Sequence, residues 1–322
     1  MDTLTHTCMG VGLVAFGTID PSIQSTSLPF IITAITASQI PDIDTVLKLT
    51  GNANYITHHR GFTHSLPMQL IWPILITALI YLIFKDINIL HYYLFAQLGV
   101  SLHIFVDIFN AYGTQALRPF SNQWIQLAVI NTIDYFILFM HGIGFILWYF
   151  IGHGFIIFTI IYIILILYYI SRFYYQYTIK KYIHHFIDSE TIEQYFIAPT
   201  MRYKVWRIAI RTSEYDYVGR AHGLTINFYD KFKRKEPFNF EKYPEIKHDK
   251  NVRAFIHFSP FYRYEWDHAR NELRFIDLRY LEKGHYPFVA IVKYDDQFNI
   301  PSSYTGWVFS EDKLQQKVPI QN

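Results

Sequence analysis

The sequence predicts an α-helical integral membrane bundle of about six spans, followed by a mainly antiparallel β (α+β) soluble domain. Two observations carry this. Charge is divided along the chain: residues 1–185 hold 7 Lys+Arg and 7 Asp+Glu, whereas residues 186–322 hold 21 and 19. Hydropathy is divided the same way, with long apolar runs in the first part and short alternating runs in the second. A lipid-spanning helix needs roughly 20 apolar residues, and Ile156–Ile170 carries no charge at all. A single cysteine, 15 glycines and 19% aromatic residues exclude disulfide-scaffold, collagen-like and wholly disordered classes. The net charge is only +2, and the basic residues of the second part are interleaved with acidic ones, so no nucleic-acid partner is predicted.

In chain order, the expected spans are Leu4–Ile19, Leu28–Ile40, Leu66–Phe84, Leu90–Phe109, Ile130–Ile151 and Phe155–Ile170. The first two are short, and Gly10, Gly12 and Gly17 suit them to close helix packing. MDTLTHT lacks a basic n-region, so no cleaved signal peptide is expected. Cys8, in an apolar run, reads as a small buried hydrophobe. Folding six spans back and forth places Lys48, Arg60, Arg118, Arg172, Lys180 and Lys181 on one side and Lys85 on the other. That asymmetry puts the first side, with the soluble domain, in the cytoplasm of a multi-pass inner-membrane protein.

The expected domains are 1–172 in the membrane, a helical connector over 173–198, and a cytoplasmic β-rich domain over 199–322. Runs over Tyr203–Arg211, Asp216–Arg220, Gly223–Phe228, Glu272–Tyr280, Phe288–Lys293 and Gly306–Phe309 read as strands of one compact sheet. Ala254–Phe258 is ambiguous, and Phe261–Trp266 is read as helical. The basic turn Lys231–Lys235 is read as solvated, and no catalytic constellation is evident in this half.

Ionisable residues in the apolar half need a reason, because each is costly there. They fall in four groups: Asp2 with His6, Asp42 with Asp44, His58-His59-Arg60 with His64, and His103 with Asp107. The first and last pairs are i, i+4 and share a helix face. Each has a plain structural alternative: an N-terminal cap, a turn, a basic juxtamembrane loop, a buried hydrogen-bonded pair. The six-span fold nevertheless brings all four to one rim. Imidazole plus carboxylate suits Zn²⁺, or Mn²⁺ and Fe²⁺ where carboxylates dominate. The donors outnumber what one tetrahedral ion takes, which points to one or two ions and to hydrolysis of phosphoesters by metal-activated water. Arg60 is expected to clamp an anionic group, Asp134 to orient a ligand histidine or cap its helix, and Asp2 to support the ligands. Asn110, Thr114 and Arg118 could line a cleft, in a loop that Tyr112 and Trp124 could equally anchor at the interface. His58 is not expected to be a ligand as well as His59, since adjacent residues point apart, and His91, His141 and His153 are read as interfacial or packing residues. Rim placement favours an amphiphilic or phosphorylated substrate reached from the lipid bilayer. The alternatives are a metal-ion transporter, or a regulatory membrane protein with a structural metal site and a partner for its soluble half.

The succession D-x-x-T-H at residues 2–6, P-D-x-D at 41–44, H-R-G-x-T-H-S at 59–65, H-x-x-x-D at 103–107, then Gly113-Thr114 and Pro119-Phe120-Ser121, resembles the YdjM-type bacterial inner-membrane metal-dependent hydrolases. Within that family it is most similar to YfhP-like proteins, which carry a soluble C-terminal extension. The resemblance covers roughly residues 1–180. It implies a divalent-metal hydrolase with His6, Asp42, Asp44, His59, His64, His103 and Asp107 as ligands; catalytic roles for Arg60, Asp42 and Asp134 are expected from the residues themselves. The family's distant similarity to zinc-dependent phospholipases C, which also use an H-x-x-x-D helix pair, favours phosphoester substrates. The free amino-terminal ligand of those enzymes has no evident counterpart after Met1.

Overall fold

The computed structural model describes residues 1–188 and 191–319. Ser189 and Glu190 of the expected connector, and residues 320–322 of the expected soluble domain, lie outside the described residues. The chain forms two compact units. One comprises Met1–Asp44, His59–Thr178 and Ala198–Tyr203; the other comprises Thr45–His58, Ile179–Ile197 and the chain from Lys204.

The first unit holds six apolar helices: α1 (Thr3–Phe16), α2 (Leu28–Gln39), α4 (Leu66–Phe84), α5 (Ile89–Ile108), α6 (Tyr135–Ile151) and α7 (Gly154–Ile183), the last of which ends in the second unit. The short α3 (Asn52–His58) belongs to the second unit. Four helical stretches are long and apolar enough to cross a membrane: Leu28–Thr50, in which 3-10 helix continues α2, then α4, α5 and α7. The outward faces of α4 and α7 expose leucine and isoleucine, as lipid-facing helices do.

Local chemistry sets the ends. The Asp2 side chain caps α1 by accepting from Leu4 N (3.1 Å), and Pro67 lies in the first turn of α4, where a missing N–H costs nothing. The Asp134 carboxylate accepts from Phe136 N (3.0 Å) and Ile137 N (3.3 Å), so α6 starts at Tyr135 rather than at Ile130. Asp134 therefore takes the capping role. Its other oxygen accepts from Tyr168 Oη at 2.8 Å, and no histidine is among these partners.

Two buried apolar clusters hold the bundle. One gathers Met9, Val106, Ile137, Phe158 and Ile161; the other gathers Phe30, Ile76, Tyr92, Ala96, Val100 and Ile104. Small residues bring α2 against α5: a Cβ on Gly99 would lie 2.8 Å from Ala37 Cβ and 3.2 Å from Leu13 Cδ1.

The helical connector is only partly helical. Helix α7 runs to Ile183, but Ile192–Pro199 is strand β1. Its β-branched and aromatic content lets it pair with β2 instead of extending the helix. The second unit contains two four-stranded antiparallel meanders rather than one sheet. The first runs β1, β2 (Val205–Thr212), β3 (Tyr215–His222), β4 (Thr225–Lys233); the second runs β5 (Tyr262–Asp267), β6 (Glu272–Asp277), β7 (Phe288–Lys293), β8 (Ser302–Trp307). Helices α8 (Pro244–His248) and α9 (Lys250–Phe258) lie between the meanders in sequence, and α10 (Glu311–Lys317) follows β8.

Ala254–Phe258 is helical, within α9. Phe261–Trp266, read as helical, lies largely in β5. Tyr262, Tyr264 and Trp266 alternate with Arg263 and Glu265, and Tyr264 pairs with Phe275 of β6 in register. The core of the unit is aromatic, with Phe255 stacked on Phe288 at 5.4 Å and in contact with Phe275. Gly99→Val should push α2 from α5 and destabilise the bundle by about 1–3 kcal/mol. The check is the melting temperature of the purified protein in detergent, with Gly142→Ala, which meets open space, as control.

Candidate metal centre

Four segments of the first unit converge. His6 lies in the second turn of α1, Asp42 in the 3-10 stretch after α2, His64 in the turn before α4, and His103 with Asp107 on successive turns of α5. His6, His64, His103 and Asp107 are fully buried or nearly so. Among the described residues, Asp42, His64, His103 and Asp107 place ligand atoms within 4.8 Å of one another.

The distances match the donor separations of a coordination shell. His64 Nε2 lies 3.5 Å from Asp42 Oδ1 and 3.6 Å from Asp107 Oδ2. His103 Nε2 lies 3.7 Å from each of the same two oxygens. Donors about 2.1 Å from a tetrahedral ion sit about 3.4 Å from one another. All four atoms are buried and lack a hydrogen-bond partner, a condition that buried polar atoms rarely tolerate. The donor set therefore fits a divalent cation.

Neighbouring groups fix which ring nitrogen faces the centre. His103 Nδ1 lies 2.7 Å from the Ser38 carbonyl, which can only accept, so Nδ1 carries the proton and Nε2 the lone pair. Thr63 Oγ1 donates to Asp44 Oδ2 (2.8 Å) and lies 3.0 Å from His64 Nδ1, which points that ring's Nε2 inward too. Burial lowers the His64 imidazole to about 4, so at neutral pH it is an uncharged ligand. Such outer partners orient metal-binding histidines generally.

A second group, Asp42, Asp44 and His59, shares Asp42 with the first. Asp44 Oδ1 lies 2.7 Å from His59 Nδ1, and Asp44 Oδ2 accepts from Arg60 N at 2.8 Å. This carboxylate thus holds the 59–64 turn in shape. Arg60 has φ +60°, a conformation unusual for a non-glycine residue, and its carbonyl accepts from Gln115 N at 2.9 Å. His6 is not in either group, but its ring stacks on His103 at 3.7 Å and its Nε2 lies 3.4 Å from Asp107 Oδ1.

Arg60 does not present an open clamp. Its guanidinium is buried, donating to Asn110 Oδ1 (3.0 Å) and the Met1 carbonyl (3.1 Å) and pairing with Asp107 Oδ2 at 3.3 Å. It positions Asp107. Asn110 and Thr114 are likewise buried rather than lining an open cleft: Asn110 Nδ2 donates to Asp107 Oδ1 at 3.1 Å and supports the centre, whereas Thr114 pairs through its backbone with Ile125. The α-amino group of Met1 also contacts Asp107 Oδ1. The sequence reading did not single out Met1, Ser38 or Thr63. Only Thr63 carried a signal, its place inside the H-R-G-x-T-H-S run.

The remaining residues lie elsewhere. Asp2 bonds within its own helix turn, to Leu4 N and Thr5 Oγ1. His58 is exposed and bonds to the carbonyl of Asn54 (2.9 Å). His91 pairs with Asp20 and Ser22, and His141 is buried beside Phe158 and Tyr162. Cys8 is half-buried.

A membrane helical bundle with a buried His/Asp cluster, followed by a β-rich extension, defines the class of protein. The chain belongs to the YdjM inner membrane protein family, whose model matches residues 1–179. Two further family models match the extension: the YfhP middle domain over residues 190–232 and the YfhP C-terminal alpha/beta plait domain over residues 242–318. The chain is 47% identical over 325 residues to the uncharacterized protein YfhP of Bacillus subtilis (strain 168), covering 99% of each chain. No solved structure matches it.

Two outcomes follow from the geometry. Arg60→Ala removes the partner of Asn110, the Met1 carbonyl and Asp107 at once, so it should destabilise the fold by about 3 kcal/mol, as breaking a buried ion pair does. Thermal unfolding of metal-free protein measures this. For His64 the unfolded chain, with the ordinary value of 6.5, takes up a proton before the folded one does. Stability of metal-free protein should therefore fall as pH drops from 6.5 toward 4 and level off below. His64→Gln should remove part of that slope.

Proposed function

We propose that the protein is a membrane-bound metal-dependent hydrolase acting on a phosphoester in an amphiphilic or lipid-linked substrate. The observation that carries this reading is the set of four buried ligand atoms without hydrogen bonds, all within 4.8 Å of one another, with each imidazole nitrogen 3.5–3.7 Å from both carboxylate oxygens. Asp42, His64, His103 and Asp107 would hold one ion. His59 and Asp44, with Asp42 shared, would hold a second, and His6 lies ready behind Asp107. Two histidines and two carboxylates favour Zn²⁺, with Mn²⁺ or Fe²⁺ as the carboxylate-tolerant alternatives.

A divalent ion here supplies Lewis acidity and acidifies water, the chemistry that phosphoester hydrolysis needs. The protein's own groups do the rest. Ser38, Thr63 and Asp44 fix the imidazoles, Arg60 and Asn110 fix Asp107, and Asp134 sets the start of α6. Side chains of Asp42 and His59 are 17% and 20% exposed, which leaves an approach from that side. Beside them, Ile43 and Phe62 are exposed apolar residues, and Phe120 is 86% exposed. Such a lip suits a substrate with a hydrocarbon part. The excess of Lys and Arg on the side of the centre supports a cytoplasmic placement for it and for the soluble domain.

Metal analysis of purified protein should give one or two divalent ions per chain, and His103→Ala and Asp42→Ala should each weaken binding by at least about tenfold. Full occupancy in both variants would remove the site. Hydrolysis of a panel running from p-nitrophenyl phosphate to phosphatidic acid and lipid diphosphates tests the reaction. A metal-loaded protein inert across it would leave the metal structural.

A further inference from the structure

A cleft of about 1160 Å³ opens in the second unit, with α3 on one wall and α9 and the end of α10 on another. Four cations line it: Lys247, Lys250, Arg253 and Lys317. Glu241 answers only Lys247, at 2.6 Å. Lys250, Arg253 and Lys317 are exposed and, among the described residues, form no ion pair. Elsewhere in the same unit the pattern differs: Arg211, Arg234, Arg274, Arg279 and Lys293 each sit against a carboxylate. The cleft thus gathers on one concave surface three exposed cations with, among the described residues, no carboxylate against them.

The three cations stand on fixed supports. Lys250 and Arg253 are one turn apart on α9, which is anchored by the buried side chains of Val252 and Phe255. Lys317 Nζ lies 5.7 Å from the centre of the Tyr304 ring, and the Tyr304 hydroxyl accepts from Asn52 Nδ2 of α3 at 2.9 Å. Like charges lining one concave site attract a compact polyanion, because local potential rises there and charge-assisted hydrogen bonds are the strong ones.

We propose that this cleft binds a multiply charged phosphate group, free or lipid-borne, with Lys250, Arg253 and Lys317 as its anchors. The site would also have a line to the metal centre. The α3 wall lies in the chain between Asp44 and His59, so a shift of α3 on ligand binding is passed covalently to both. The binding site itself does not rest on the metal reading.

The test is calorimetric titration of full-length protein in detergent with inorganic pyrophosphate. We expect saturable binding that persists in His103→Ala, which separates it from the metal centre. Lys250→Gln/Arg253→Gln should weaken it at least tenfold, and Lys231→Gln/Lys313→Gln, which removes equal charge elsewhere, should leave it unchanged. Lys317→Gln alone serves if the double variant fails to fold. Absence of binding by the wild type, equal loss in the charge control, or loss in His103→Ala would each overturn the proposal. Repeating the titration in nanodiscs of phosphatidylcholine, with or without phosphatidylglycerol, assigns the source. Competition by the anionic lipid supports a headgroup ligand, and undiminished pyrophosphate binding supports a soluble one.

Discussion

Two imidazole nitrogens and two carboxylate oxygens face one another inside the bundle, each buried with a lone pair and without a hydrogen bond. Leaving such atoms buried and unanswered costs on the order of 1–3 kcal/mol apiece, more for the charged ones. A divalent cation satisfies all four at once, and it is the small, strongly charged species that the spacing admits. Much of the first unit can be understood as holding these atoms at that distance against their mutual repulsion.

The holding is done mostly by backbone and by neutral hydroxyls. The Ser38 carbonyl reaches His103 because α2 and α5 pack closely over Gly99 and Ala37. Thr63 and Asp44 connect His64, His59 and the Arg60 amide into one turn, and that turn keeps Arg60 in its left-handed conformation. Arg60, Asn110 and the Met1 amine together surround Asp107 with positive charge and donors.

The stretch from Thr45 to His58 gives the two units a common element. It is flanked by two candidate ligands, Asp44 and His59, yet it folds with the β-rich unit through the Asn52–Tyr304 hydrogen bond and contacts between α3 and α9. In a chain otherwise divided by charge and hydropathy, this is where an event in the soluble half has the shortest covalent route to the centre.

The membrane bundle, the β-rich extension and the His/Asp motifs were all legible in the sequence, because hydropathy, alternation and side-chain chemistry are local properties. Helix topology alone placed His6, Asp42, His64, His103 and Asp107 at one rim, since loop order fixes which helix ends meet. The tertiary structure decided what depends on packing and direction. Asp134 turned out to cap α6 and Arg60 to point inward, because a side chain's partner is set by what lies across the bundle and not by its neighbours in sequence. Phe261–Trp266 became a strand, and β1 replaced the end of a helix, because aromatic and β-branched runs suit either period until a partner strand supplies hydrogen bonds. The roles of Met1, Ser38 and Thr63 arise from single hydrogen bonds and contacts, two of them across dozens of residues, which no pattern along the chain encodes.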